Sequence, residues 1–115
     1  MAPTLVFTAD GALWMSVGSP GGSAIINYVA KTLVGVIDWK LPLQRAIAAP
    51  NMGSRNRETE IERGTAFEAI VPALRAMGHN VEAVEMVSGS HGIARAERGL
   101  AGGADPRREG VVLGK

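Results

Sequence analysis

One stretch of the chain, Ser19-Pro20-Gly21-Gly22-Ser23, is built for chemistry at the main chain. A β-rich run ends just before it and a long apolar segment follows. Two adjacent glycines leave their amides uncovered, because no Cβ stands between the backbone and an approaching group. At a helix start, such amides carry a partial positive charge and suit an anion or a developing oxyanion. A tight turn accounts for the same residues without any ligand, so the local sequence leaves both readings open. A phosphate site is set aside, since the stretch lacks the lysine of a P-loop and the spacing of a dinucleotide fingerprint. His91, in Ser88-Gly89-Ser90-His91-Gly92-Ile93, is either a site residue or an ordinary strand histidine. With His79 it makes the whole histidine complement, without H-x-x-x-H spacing, and there is no cysteine. No metal, cofactor or thiolate nucleophile is therefore expected. Thr4, Ser19 and Ser23 have no adjacent histidine or carboxylate pattern that would activate a hydroxyl.

The bulk composition limits what can carry such a turn. The 115 residues suffice for one domain with one core, expected over 1–115. Hydrophobic residues make up 46% and charged ones 20%, the range of a globular protein rather than a disordered one. A net charge of +1 gives no nucleic-acid or membrane-surface footprint. The apolar segment 24–37 holds Asn27 and Lys31 and is too short for a bilayer. The opening residues MAPTLVF do not form a signal peptide, and no compartment is implied.

Several elements must position the turn. Thr4–Thr8 and Ala12–Val17 are β-rich and joined through Asp10-Gly11, a hairpin signal because both positions tolerate positive φ. A helix follows, with Ser23 as its expected cap and Ile26, Val29, Ala30, Leu33 and Ile37 as its apolar stripe. Ile25, Val34 and Val36 widen that stripe, which predicts burial between layers. A short second helix runs from Pro42 to Pro50. A polar stretch then leads to a short strand at 58–62. Thr65 and Glu68 form a capping box for a further helix, with Pro72 inside it and Gly78 closing it. Val81–Val87 alternates at period two, and two more strands, His91–Ala96 and Leu100–Gly103, follow. Strands in hairpins and helices in a group predict an α+β fold with a mainly antiparallel sheet.

Taken in order, MAPTLVF, the Asp-Gly hairpin, GSPGGSAIINYV, AIAAPN, LRAMGHNV and GGADPRREG resemble the C-terminal part of the gamma-glutamyltransferases, also called gamma-glutamyltranspeptidases or glutathione hydrolases. The resemblance covers essentially the whole chain, and the Ser-Pro-Gly-Gly-Ser turn and the Ala-Asp-Pro-Arg-Arg ending are its most specific parts. It implies part of an N-terminal-nucleophile hydrolase αββα sandwich. In that family a threonine, freed when a precursor cuts itself into two subunits, attacks the gamma-glutamyl carbonyl of glutathione or a related amide. The gamma-glutamyl-enzyme then passes its acyl group to water or to an amino-acid or peptide acceptor. By this resemblance Gly21 and Gly22 correspond to the oxyanion-hole glycines. Ser19 and His91 are candidate substrate-side residues. Asn51 departs from the arginine common after the family's Ala-Pro stretch, which weakens any local role there.

The nucleophile and the residues that grip the glutamyl α-groups fall, in the family, before the segment that matches Met1. The expectation is a C-terminal fragment of the small subunit, inactive alone, which associates with itself or with a large subunit. The alternative is a non-catalytic α+β binding or assembly module that keeps the scaffold.

Overall fold

The computed structural model of the protein describes residues 2–114. Two compact units are present. One comprises the residues up to Ala49 together with those from Ser88 onward, and the other spans Pro50–Val87.

The first unit is a four-stranded antiparallel sheet with two helices. Its strands are β1 (Thr4–Phe7), β2 (Leu13–Gly18), β6 (His91–Arg95) and β7 (Leu100–Ala104), in the spatial order β1-β2-β6-β7. The hairpin between β1 and β2 forms as expected, but only Gly11 takes positive φ, at 84°. The Thr8 carbonyl accepts from the Gly11 amide, and the Thr8 amide donates to the Ala12 carbonyl, at 2.9 Å each. Three residues thus make the loop, and Asp10 needs no strained backbone. Val6, Met15 and Ala94 stand opposite one another across β1, β2 and β6. They face a core completed by Val36, Leu43, Ala46 and Ile47. Each such side chain contributes roughly 1.5–3 kcal/mol by leaving water, with alanine contributing less.

Helices α1 (Ile25–Ile37) and α2 (Leu43–Ala48) cover that face. Gly92 pairs with Gly103 beneath α2. A Cβ on Gly103 would stand 2.7 Å from the Ile47 Cδ1 atom, so the bare strand lets the helix lie directly on the sheet. The expected stripe on α1 is rotated. Tyr28, Val29, Thr32, Gly35 and Val36 are buried, whereas Ile26, Ala30 and Ile37 are exposed. With apolar residues nearly all round, hydrophobicity alone does not choose the face, and a glycine makes the closest approach to α2. Gly35 faces Ala46 so closely that an added Cβ would come within 2.9 Å of the alanine Cβ. Thr32 tolerates burial because its hydroxyl donates to the Tyr28 carbonyl at 3.0 Å. Ser23 does not cap α1. It lies inside a 3-10 turn, Gly22–Ala24, and Ala24 holds the cap position. The opposite face of the sheet carries exposed apolar residues, with Leu5, Phe7, Ile93 and Leu100 each more than half exposed, and Val112 lies over Gly102 on the same side.

In the second unit β3 (Met52–Ser54) pairs antiparallel with β4 (Thr59–Glu62), and β4 pairs parallel with β5 (Val81–Val84). β3 lies in the stretch that reads as polar and turn-rich. It has three residues and follows from the pairing of Met52 with Ile61 rather than from its own pattern. The expected helix after Thr65 is a 3-10 turn, Ala66–Ile70, leading into α3 (Val71–Ala76). Pro72 falls in the first turn of α3, where its missing N–H costs nothing. Thr65 accepts from the Phe67 amide at 3.3 Å, and Glu68 accepts from the Gly64 amide at 2.7 Å. Ile61, Val71 and Val81 form this unit's core, with Phe67 and Leu74 against it. The architecture is α+β with mainly antiparallel pairing.

Candidate functional site

The turn after β2 departs from ordinary loop geometry at both glycines. Gly21 sits at φ 137° and Gly22 at φ 59°, backbone regions that exclude most side chains. Gly21 is also crowded, since a Cβ there would lie 2.6 Å from the Tyr28 ring. Neither glycine amide makes a hydrogen bond among the described residues, and Gly22 is exposed. Both amides sit where the 3-10 turn and α1 begin, at the positive end of the helix dipole.

Ser19, just before them, is almost fully buried, at 4% exposure. Its hydroxyl donates to the Pro20 carbonyl at 2.7 Å and accepts from the Gly89 amide at 3.2 Å. His91 begins β6 opposite Gly18. Its Nδ1 lies 2.9 Å from the Gly89 carbonyl, which places the proton of that contact on Nδ1. Its Nε2 side packs against Gly110. Ser19 and His91 both line a groove of about 670 Å³, together with Pro20, Gly89, Gly102 and the Val111–Leu113 segment. Gly21 and Gly22 follow Pro20 in the chain but do not line that groove.

A buried carboxylate holds the segment that meets Ser19. Asp105 is 1% exposed. Its Oδ2 accepts from the Ser88 hydroxyl at 2.6 Å and from the Ser90 amide at 3.1 Å. Its Oδ1 accepts from the Arg107 amide and guanidinium, both at 3.0 Å. Burial by itself raises the Asp105 pKa. The bonds from Ser88, from the Arg107 and Ser90 amides and from the Arg107 side chain outweigh it, and the carboxyl lies below its ordinary 3.8. Arg107 also donates to the carbonyls of Ala48, at 3.3 Å, and Ala49, at 3.0 Å. Lys31 reaches the same helix end, donating to Ile47 at 2.7 Å and Ala49 at 2.8 Å. Two cations thus satisfy the carbonyls at the C-terminus of α2.

The Ala-Asp-Pro-Arg-Arg ending is therefore a structural clamp with Asp–Arg pairing at its centre. Sequence reasoning missed Ser88, Gly89 and Lys31. Ser88-Gly89-Ser90 carries no signal beyond its small polar residues, and the partners lie 70 positions away at Ser19 and 15 to 17 away at Asp105. Asn51 is a structural residue in the second unit: its amide donates to Glu62 Oε2 at 2.7 Å, and its carbonyl accepts from the Glu62 amide at 3.0 Å. Among the described residues no group of three or more histidines or acidic side chains could hold a metal. No helix among them is long and apolar enough to cross a membrane.

Comparison with known proteins bears on what this arrangement serves. The family model for gamma-glutamyltranspeptidase matches residues 1–115. The chain is 34% identical over 110 residues to the glutathione hydrolase proenzyme of Escherichia coli (strain K12), covering 93% of this chain and 19% of that protein. It is 30% identical over 118 residues to the glutathione hydrolase proenzyme of Pseudomonas aeruginosa, covering 98% of this chain and 21% of that one. The chain thus spans about a fifth of the length of these relatives. Among solved structures, a highly active mutant of the gamma-glutamyltranspeptidase from Pseudomonas nitroreducens superimposes with a TM-score of 0.84 at 29% identity, covering 100% of this chain and 61% of that chain. The α+β architecture is accordingly part of an N-terminal-nucleophile hydrolase fold. With the family model matched along its whole length, the chain belongs to the gamma-glutamyltranspeptidase family.

Proposed function

We propose that this chain supplies the oxyanion-binding part of a gamma-glutamyl transfer site. The substrate is the gamma-glutamyl amide of glutathione or a related compound. The nucleophile is a threonine outside these 115 residues, so the chain alone is inactive. The threonine oxygen attacks the gamma-carbonyl carbon and gives up its proton to a base. The carbonyl oxygen becomes an oxyanion. The C–N bond then breaks, and the amine leaves with a proton. Water or an acceptor amine attacks the resulting ester, expels the threonine and completes the transfer. Gly21 and Gly22 donate their amides to the oxyanion in both halves of the reaction. One such donor is worth roughly 3–4 kcal/mol of transition-state stabilisation.

The observation that carries this reading is the pair of unbonded amides on left-handed glycines at the start of a helix. Ser19 and His91 line the adjoining groove; His91 is its substrate-side residue, whereas the buried Ser19 hydroxyl is engaged with Pro20 and Gly89. The test is hydrolysis of a gamma-glutamyl anilide by this chain alone and by a protein that extends it upstream through a threonine nucleophile. Activity in the extended protein only is the expected result. Activity in the 115-residue chain alone overturns the assignment of the nucleophile. Activity in neither favours the non-catalytic scaffold module.

Exposed apolar residues on the second face of the sheet support a second part of the proposal. Leu5, Phe7, Ile93 and Leu100 form an apolar surface that solvent does not suit. The chain associates through it, with a large subunit when one is present and otherwise with itself. Light scattering of the isolated chain at micromolar concentration is expected to show a species larger than a monomer, and a clean monomer refutes self-association.

A further inference from the structure

We infer that Ser19 is a positioning residue for the transfer site, acting through the Pro20–Gly21 peptide rather than by touching substrate. The inference rests on the gamma-glutamyl transfer reading above. The Ser19 hydroxyl donates to the Pro20 carbonyl at 2.7 Å, and the described chain has no cis peptide bond. In a trans peptide the carbonyl and the next N–H point in opposite directions. Holding the Pro20 oxygen against Ser19 therefore turns the Gly21 N–H outward, away from the buried serine. That peptide has an unusual freedom to rotate, because the residue after it is a glycine. A flipped peptide would present a carbonyl where an oxyanion needs a donor.

Ser19 is itself held from behind. Its oxygen accepts from the Gly89 amide at 3.2 Å, which leaves the hydroxyl proton for Pro20. Gly89 lies in close quarters with this turn: a Cβ there would lie 2.7 Å from the Pro20 ring and 2.7 Å from Arg108 Cδ, so only glycine brings its amide to Ser19 without a clash. Ser88 and Ser90 on either side are both bonded to the buried Asp105 carboxylate. The path from the clamp to the oxyanion amide is thus Asp105, the 88–90 segment, Ser19, the Pro20 carbonyl and the Gly21 N–H. Each link is a hydrogen bond or a covalent bond.

The test compares Ser19→Ala, Ser19→Cys and Ser19→Thr in the active protein that contains this chain, with rates expressed per titrated active site so that misfolded protein does not count. Ser19→Ala is expected to lower kcat for gamma-glutamyl anilide hydrolysis about 10- to 100-fold, less than full loss of a donor, with KM changed under about threefold. Ser19→Thr keeps the hydroxyl and recovers kcat, and Ser19→Cys, a weak donor, falls between. In the 15N-labelled protein, the Gly21 amide resonance broadens or splits in Ser19→Ala and keeps a single position in Ser19→Thr. A Ser19→Ala protein with kcat within about threefold of the parent overturns the inference while leaving gamma-glutamyl transfer standing. A parent with no activity overturns the transfer reading instead. In that case the Gly21 resonance decides alone whether Ser19 sets the peptide, and an unchanged resonance in Ser19→Ala refutes it.

Discussion

Two glycine turns bracket β2, and they solve different problems. The turn before it, at Gly11, closes on itself: Thr8 supplies both main-chain bonds, and a Cβ on Gly11 would meet nothing within 4 Å. The turn after it, at Gly21, leaves its amides open and is held from outside by Ser19, Tyr28 and a segment 70 residues further on. A hairpin needs only a backbone that reverses direction. A donor site needs a backbone whose direction is fixed, and here the local bonds, from the Ser19 hydroxyl to the Pro20 carbonyl and from the Ala24 amide to the Gly21 carbonyl, are backed by a distant one from Gly89. Positive φ is common to both turns; long-range restraint is what separates them.

The sharpest way to break this contrast is to add a methyl at each glycine. Gly21→Ala combines a backbone region closed to alanine with a 2.6 Å approach to the Tyr28 ring. Strain and overpacking each cost about 1–3 kcal/mol, so a loss of about 4 kcal/mol is expected. Urea unfolding of the parent and the variant measures it, and a loss below 1 kcal/mol would mean that the turn is not held by Tyr28.

The second effect tests the restraint behind the turn. Asp105→Ala strips the partners from Ser88, Ser90 and Arg107 together and is expected to cost about 3 kcal/mol. The pH dependence follows from the direction of its pKa. The folded carboxyl lies below the unfolded value near 3.8, so its contribution is complete above that value and fades as pH falls through the lower, folded one. Acid unfolding followed by circular dichroism should show a slope below about pH 4 that Asp105→Asn flattens. An unchanged slope would put the acid sensitivity elsewhere.

The sequence made the open turn legible but not what holds it. Asp10-Gly11 announces its hairpin because all the contacts are local; Thr65 and Glu68 likewise bond locally, but to the Phe67 and Gly64 amides rather than as the reciprocal box expected. Gly21 and Gly22 are visible as glycines, yet the tie from Ser19 to Gly89 depends on a pairing of β2 with β6 that no local pattern encodes. The rotated stripe of α1 has the same origin. Its seam includes Gly35 meeting Ala46, a tertiary contact between small residues that hydrophobic periodicity ignores. The Asp105 clamp was half legible, because the Asp-x-Arg pairing is local while the serines that complete it are not.

At the other end of β2 the expected cost is smaller. Gly11→Ala pays only for its φ of 84°, about 1 kcal/mol, since the space around it is open. The Gly21 amide resonance and the activity of the assembled protein should stay as in the parent. A loss as large as that of Gly21→Ala would show that crowding by Tyr28 is not the reason the second turn is sensitive.

The smallest effect belongs to the carboxylate in the open hairpin. Asp10 resembles Asp105 in one respect: a hydroxyl, here from Thr8, donates to it and lowers its pKa from 3.8, with the Asp10 and Ala12 amides adding to the shift. It differs in being fully exposed, so water replaces any bond that is lost and the carboxyl need never be desolvated. Thr8→Ala is therefore expected to move the Asp10 titration upward, toward 3.8, when followed by carbon NMR, with a much smaller loss of melting temperature than Asp105→Ala causes. The sign of the linkage is the same at both aspartates, since each stabilises above its unfolded pKa and fades in acid. If Thr8→Ala shifted the acid transition as far as Asp105→Asn, burial could not be what gives the second aspartate its weight, and the contrast between a turn that closes on itself and one held from afar would fail at its base.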